Sequence, residues 1–285
     1  MAAILFALTA AFMFALGTQF SKRGLETSDA ATGVVIQLSV QAGLYWLMSP
    51  FFIEAHFWLM PVVFLFAAMG FFRPFLSSRL AMTGNRHLGP TITSSLSGTS
   101  PLFGVLLGIV VLGEELTPAL LVGAVAVFSG ISLLSWRRGN VKRDWPLWVI
   151  FLPICAAFLR AATNLLAKVG MEVLASPYFA SLVAASVATI IAWMTSGRHF
   201  KVDVARGPAG KWFVLTGICY GTGALSLNLA LIRGQLVEIS LILACVPIFS
   251  LFLGAFVFHE KAITRHVVMA IVLIVAGVMA ISLNR

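Results

Sequence analysis

Charge is what this sequence has least of: 10% of its 285 residues are Asp, Glu, Lys or Arg, against 60% hydrophobic, and the mean hydropathy is +1.01. That leaves too little polar surface to cover a water-soluble globule of this length, so the chain belongs in a bilayer. Acidic residues are scarcer than basic ones, 10 against 19, giving a formal charge of +9. Nucleic acid is not the expected partner, because the Lys and Arg sit in short clusters between apolar runs, where they flank a membrane. Cysteine is rare: Cys155, Cys219 and Cys245 are odd in number and all lie in apolar runs, so neither a disulfide framework nor a zinc site is expected. The chain lacks GxxxxGK, HExxH and GxSxG, and its five histidines, at 56, 87, 199, 259 and 266, fall at helix ends or in loops. No enzyme, metal or cofactor is expected, and no loop exceeds about 15 residues to house a separate soluble domain. The N-terminus is apolar from Met1 and lacks the basic region of a secretory signal, so it is expected to be a retained first helix.

What is present is a duplication. Residues 10–26, AAFMFALGTQFSKRGLE, return at 156–172 as AAFLRAATNLLAKVGME, and the same offset of 146 lays PLFGVLLGIVVLGE over PIFSLFLGAFVFHE. Matches between apolar residues are cheap; Lys22 with Lys168, Pro101 with Pro247 and Glu114 with Glu260 carry the argument. The copies are expected to span 1–138 and 147–285, joined by a basic linker at 139–146.

A transmembrane helix needs about 20 mostly apolar residues. Charges, glycines and prolines divide the chain into ten such segments, near 2–21, 30–49, 57–80, 90–112, 118–136, 147–168, 177–196, 211–231, 236–258 and 265–283. Continuous apolar runs favour helices over barrel strands, which alternate. Thr117-Pro118 predicts an N-cap and first-turn proline for segment five, with Thr264 in the matching place before segment ten. The expected fold is therefore an all-α integral membrane protein of ten helices. Five segments per copy make the second copy enter the membrane from the opposite side, as inverted repeats, with a binding site near the midplane. Fourteen of the 19 basic residues follow odd-numbered segments and three follow even-numbered ones, which predicts cytoplasmic odd loops and both termini outside.

A lysine ending the first segment of each copy (Lys22, Lys168) and a fourth segment with Pro101 or Pro247, Gly108 or Gly254, and Glu114 or Glu260 resemble the drug/metabolite transporter superfamily, EamA type. The resemblance covers about residues 4–283. It implies secondary transport of small metabolites, often efflux, by alternating access, in a bacterial inner membrane. The membrane-embedded glutamate of the small multidrug relatives is absent between residues 2 and 21, which argues against proton-coupled export of cationic drugs.

Arg160 stands about 13 residues into segment six and about 8 from its far end, ~12 Å or more from either interface at 1.5 Å per residue. At that depth a charge costs at least ~2.5 kcal/mol. It is either an anchor for an anionic group or a buried arginine satisfied by carbonyls or Asn164, one turn on. Arg73 precedes Pro74, which disfavours helical geometry at Arg73 and removes a backbone donor; a broken helix beside a charge suits ligand binding, although this arginine could also snorkel. Segment four is rich in hydroxyls. Thr91, Ser95 and Thr99 share one face, Ser97 and Ser100 another, and each either packs helices or faces substrate; segment nine keeps only Ser240 and Cys245 of that set. Asn164, Tyr220, Asn228 and Gln19 are candidates for interhelical hydrogen bonds or ligand contacts. Glu238 is the coupling candidate, though expected to be interfacial and solvated. Glu114 and Glu260 are expected to favour the helix start that follows each of them, or to gate the cavity mouth. The substrate-binding set is thus Arg160, Arg73, Asn164, Ser95, Thr99, Tyr220 and Asn228. The gating or structural set is Lys22, Lys168, Pro101, Pro247, Glu114 and Glu260. The expected function is secondary transport, as an exporter, of a small anionic or zwitterionic metabolite, with a coupling ion and either a monomer or a homodimer left open. The alternative is a membrane protein that binds or flips a phosphate-bearing lipid.

Overall fold

The structure, a computed structural model, describes residues 1–77, 80, 83–84, 87–88, 93, 96, 98–115, 117–135, 146–257, 269, 272–273 and 276–277. Among these residues every regular element is helical: α1 (Ala2–Leu25), α2 (Ala30–Phe52), α3 (Val62–Gly70), α4 (Ser100–Leu112), α5 (Pro118–Ser135), α6 (Phe151–Val173), α7 (Pro177–Ser196), α8 (Pro208–Leu231), α9 (Leu236–Leu243) and α10 (Val246–Phe252). Side chains fix several starts. Asp29 Oδ1 accepts the Thr32 N–H at 2.8 Å before α2, and Ser176 Oγ accepts the Phe179 N–H at 3.3 Å before Pro177. Thr117 Oγ1 accepts the Leu120 N–H at 3.3 Å, the cap that the Thr-Pro pair predicts. Thr264, most of 265–283 and residues 136–145 of the linker region lie outside the described residues.

Among the described residues, six helical stretches are long and apolar enough to cross a membrane: Ala2–Leu25, Ala30–Phe52, Trp148–Val173, Pro177–Ser196, Pro208–Leu231 and Leu236–Ala255. Val62–Arg73, Ser100–Leu112 and Leu120–Gly130 are shorter apolar helices. Segment nine, expected as one unbroken helix, is interrupted at Ala244 and Cys245. Pro247 has no N–H to give the Leu243 carbonyl four residues back, so α9 ends at Leu243 and tight turns follow, with Ala244 N donating to Leu241 O and Cys245 N to Ile242 O. The same turn occurs one repeat earlier, at Gly98 and Thr99 before Pro101.

Packing crosses between the copies. α1 lies along α8, α6 against α3, α4 between α6 and α9, α10 against α1, and α2 against α7. Exchanging the copies maps each of these pairs onto another pair or onto itself. Helices in lipid gain little from apolar burial against one another, so close approach of small residues must hold them. Ala3, Ala7, Ala10, Ala11 and Ala15 of α1 are buried accordingly. At Gly17 the approach is close: a Cβ there would stand 2.6 Å from the Tyr220 ring of α8. Trp46 and Trp193 tie α2 to α7 through indole N–H bonds of 3.0 Å to Ser186 and Ser39. Cys155 is exposed on α6, whereas Cys219 and Cys245 are buried.

Candidate functional site

A cavity of about 630 Å³ lies where both copies meet, lined from α1, α2, α3, α4, α6, α7, α8, α9 and α10. Three backbone breaks face it. Gly98, Ser100 and Pro101 line it at the start of α4, and Leu243, Ala244, Val246 and Pro247 line it between α9 and α10. The third break is Arg73, whose φ of −137° and ψ of 122° are extended, the geometry that Pro74 imposes on its predecessor. Arg73 therefore sits just past the C-terminal end of α3, where the partial negative charge of helix carbonyls favours a cation. Its guanidinium lies 5.4 Å from the Phe14 ring centre, a cation–π contact.

Arg160 lines the same cavity. Thr163 and Asn164 follow it around one turn of α6 and line the cavity with it. Tyr220 completes this wall. Its ring stands edge-on to Phe14 at 6.2 Å, and its hydroxyl is 3.3 Å from Thr18 Oγ1. Asn228 lines the cavity while donating to Ser181 Oγ at 2.8 Å, joining α8 to α7, so it both packs helices and faces the interior. Of the expected substrate-binding set, Arg160, Arg73, Asn164, Tyr220 and Asn228 are thus brought together. Thr99 is not in the lining; its hydroxyl donates to Leu96 O at 2.6 Å, while its neighbours Gly98 and Ser100 face the cavity. Ser95 lies outside the described residues. Gln19 turns to a helix contact, donating to Ser250 O at 2.6 Å and Ser250 Oγ at 3.1 Å.

Sequence reasoning missed Thr18, Gln37, Gln41, Thr163, Ser181 and Ser240 in the lining. Gln37 and Gln41 had a usable signal, two amides one turn apart in an otherwise apolar helix. Ser181 and Ser240 had none, because a hydroxyl that packs helices and one that faces a ligand look alike in sequence.

Next to the lining residue Ala167, Lys168 belongs to an ionic clamp. Glu114 takes the backbone N–H of Leu236 on Oε1 at 2.7 Å and that of Val237 on Oε2 at 2.8 Å. Lys168 Nζ lies 2.8 Å from Glu114 Oε1 and donates to Gly234 O at 2.7 Å. The helix start that Glu114 serves is therefore not the one following it in sequence, as expected, but α9 of the other copy. Two causes are visible. Gly113, at φ 65°, ends α4 in a left-handed turn, and α9 has no side-chain cap of its own for its first N–H groups. Ala167 and Ser240 line the cavity just inside this clamp. Lys22 is exposed in the last turn of α1, and Glu260 lies outside the described residues. Glu238, expected at a solvated interface, is instead buried at 4% exposure in α9 and is not in the cavity lining. The reason is that α9 is covered by α4 and α1.

Against the curated proteins, no sequence match was found. Among solved structures, one crystal structure superposes with a TM-score of 0.79 at 15% sequence identity, covering 99% of this chain and 96% of that one, a likeness of fold alone. The model of the EamA-like transporter family matches residues 1–136 and again residues 147–283. Those two matches span nearly the whole chain and bracket a cavity built from both copies: the protein is a member of the EamA-like transporter family, a multi-pass membrane protein of transporter type.

Proposed function

We propose that the chain is a secondary-active carrier that exports a small anionic or zwitterionic metabolite from a bacterial cytoplasm, by alternating access around the Arg73–Arg160 cavity. The observation that carries this reading is that both intramembrane arginines line one cavity between the copies. A buried cation is retained at a cost of a few kcal/mol, and a transported anion gives that cost a purpose. In this reading the copies, 1–138 and 147–285 with the linker 139–146 between them, are inverted repeats of five spans each, and both termini lie outside. The interrupted helices before Pro101 and Pro247 support a midplane site, because broken helices offer backbone groups to a ligand where a continuous helix offers none. Arg160, Arg73, Asn164, Tyr220 and Asn228 bind the substrate. Glu114 and Lys168 hold one end shut while the other opens, and Lys22 and Glu260 take the equivalent part in the opposite state. Glu238 is the candidate for ion coupling.

The test is counterflow. Purified protein in liposomes preloaded with a labelled small anion should exchange it for external substrate, and Arg160→Gln should abolish exchange while leaving the thermal midpoint within a few degrees. Unchanged exchange in Arg160→Gln removes the anion site from the mechanism. Liposomes in which only a labelled phospholipid changes leaflet would reassign the protein to lipid movement. A reporter active only in the cytoplasm, fused after Arg285, should stay silent if the termini are outside.

A further inference from the structure

Much of the hydrogen-bonding capacity in the cavity wall is engaged within the protein. Thr18 and Thr163 each donate to the backbone carbonyl one turn back, at 2.8 Å. Ser100 donates to Ala157 O at 3.0 Å, and Asn228 to Ser181 Oγ at 2.8 Å. Two lining side chains stand apart. Among the described residues, none forms a hydrogen bond with the side-chain amide of Gln37 or Asn164. A carboxamide carries two N–H donors and a carbonyl acceptor, and Asn164 is 8% exposed, so this capacity is held inside the molecule. At the offset of 146, Gln37 stands opposite Val183, apolar and buried in α7, so packing at this position does not require an amide. The two side chains come from different walls: α2 lies on α7 and α8, and α6 on α3 and α4.

A ligand that displaces water from an amide must replace its hydrogen bonds or leave donors and an acceptor unpaired. An alkyl or acyl chain between Gln37 and Asn164 leaves them unpaired. A hydroxyl or a carboxamide replaces the bonds, because each both donates and accepts. We infer that the substrate bears, beside its charged group, a neutral part with hydroxyl or carboxamide functions, and that Gln37 and Asn164 bind that part from two walls of the cavity. This inference rests on the carrier reading above and narrows it to hydroxylated or amide-bearing metabolites. A site built to hydrogen-bond its substrate discriminates strongly against the analogue that lacks the polar group, since its own amides then stay unpaired. Gln37 and Asn164 are in this sense specificity-determining residues.

The experiment varies the neutral part at constant charge. Full-length protein in liposomes is preloaded with labelled glycerol 3-phosphate or labelled asparagine. Exchange is driven from outside by the same solute or by its apolar counterpart, propyl phosphate or leucine. Propyl phosphate lacks the two hydroxyls, and leucine carries two methyl groups where asparagine has the amide oxygen and nitrogen. The expected result is that, in at least one pair, the polar member drives half-maximal exchange at about tenfold lower concentration than the apolar one. Preference for glycerol 3-phosphate assigns a hydroxylated substrate, and preference for asparagine an amide. Gln37→Leu and Asn164→Leu should each bring the preferred pair within about threefold, with the apolar member driving exchange no worse than before. A merely structural role would weaken both members alike. The ranking in the unmodified protein decides the matter even if neither variant folds. An apolar member that matches its partner in every pair that exchanges overturns the inference and leaves the carrier intact. Exchange of neither labelled solute overturns it as well, and if no other small metabolite exchanges, the carrier reading falls with it.

Discussion

Lys168 and Lys22 hold the same place in the two copies, yet one is drawn into the protein and the other is not. Lys168 is 16% exposed, bonded to Glu114 and to the Gly234 carbonyl; Lys22 is exposed in the last turn of α1. The repeat makes them equivalent in position, and their burial differs. Glu114 and Lys168 form a partly buried ionic clamp that joins α4 of the first copy to α6 and α9 of the second. Elsewhere the copies are tied by Lys201 and Asp29 at 3.3 Å, with side chains 65% and 33% exposed. A buried pair with backbone donors is expensive to break, whereas an exposed pair contributes little.

The comparison breaks first at Glu114. Replacing it with Ala leaves the Lys168 ammonium and two N–H groups of α9 without their acceptor, which should cost about 3–5 kcal/mol of stability, read by thermal unfolding in detergent. Removing both charges together with Glu114→Leu and Lys168→Met should recover most of that loss, because a buried pair replaced by apolar groups is often nearly neutral. A double variant as unstable as the single one would show that the N–H groups, not the ion pair, carry the energy. Next comes Gly108→Ala. Its new Cβ would stand 2.7 Å from Val237 Cγ2 and 2.9 Å from Glu114 Oε2, so α4 must part from α9, at a cost of about 1–3 kcal/mol in the same assay.

At the exposed pair, Asp29→Ala should cost about 1 kcal/mol by loss of the α2 cap. The Thr32 backbone N–H is the main reason the Asp29 carboxyl titrates below its ordinary value, with Lys201 and the Thr32 hydroxyl adding to the effect. Its contribution is therefore complete above about pH 4 and is lost as pH falls through the lowered value. Stability measured on acidification should show a loss in the natural protein that Asp29→Asn lacks. Smallest of all should be Lys22→Gln, below about 1 kcal/mol, as for an exposed charge. A loss equal to that of Lys168→Gln would erase the asymmetry between the two lysines.

The fold was legible to the extent that it rests on periodic apolarity and on punctuation. The helix start at Thr117-Pro118 follows from a threonine that caps and a first-turn proline, and the break at Arg73 follows from Pro74. The site was legible where a residue violates its surroundings. Arg160 and Arg73 are costly in an apolar helix, and each breaks the repeat, standing opposite Phe14 and Cys219; Phe14 faces the same cavity as both arginines. What remained hidden depends on partners distant in sequence. No local pattern says that Glu114 reaches α9 rather than α5, since that is decided by a left-handed Gly113 and by an uncapped helix 122 residues away. Nor does Glu238 announce its burial; four residues after a turn it resembles an interfacial acid, and only the cover of α4 and α1 removes it from water.

Cys155 gives the molecule a natural depth gauge. It is the one exposed thiol of three, on the outward side of α6, five residues and so about 7.5 Å along the axis before Arg160. A fluorophore attached there, without any engineered cysteine, would report through quenchers placed at known levels in the lipid how deep that helix sits, and with it the level of the Arg160 guanidinium.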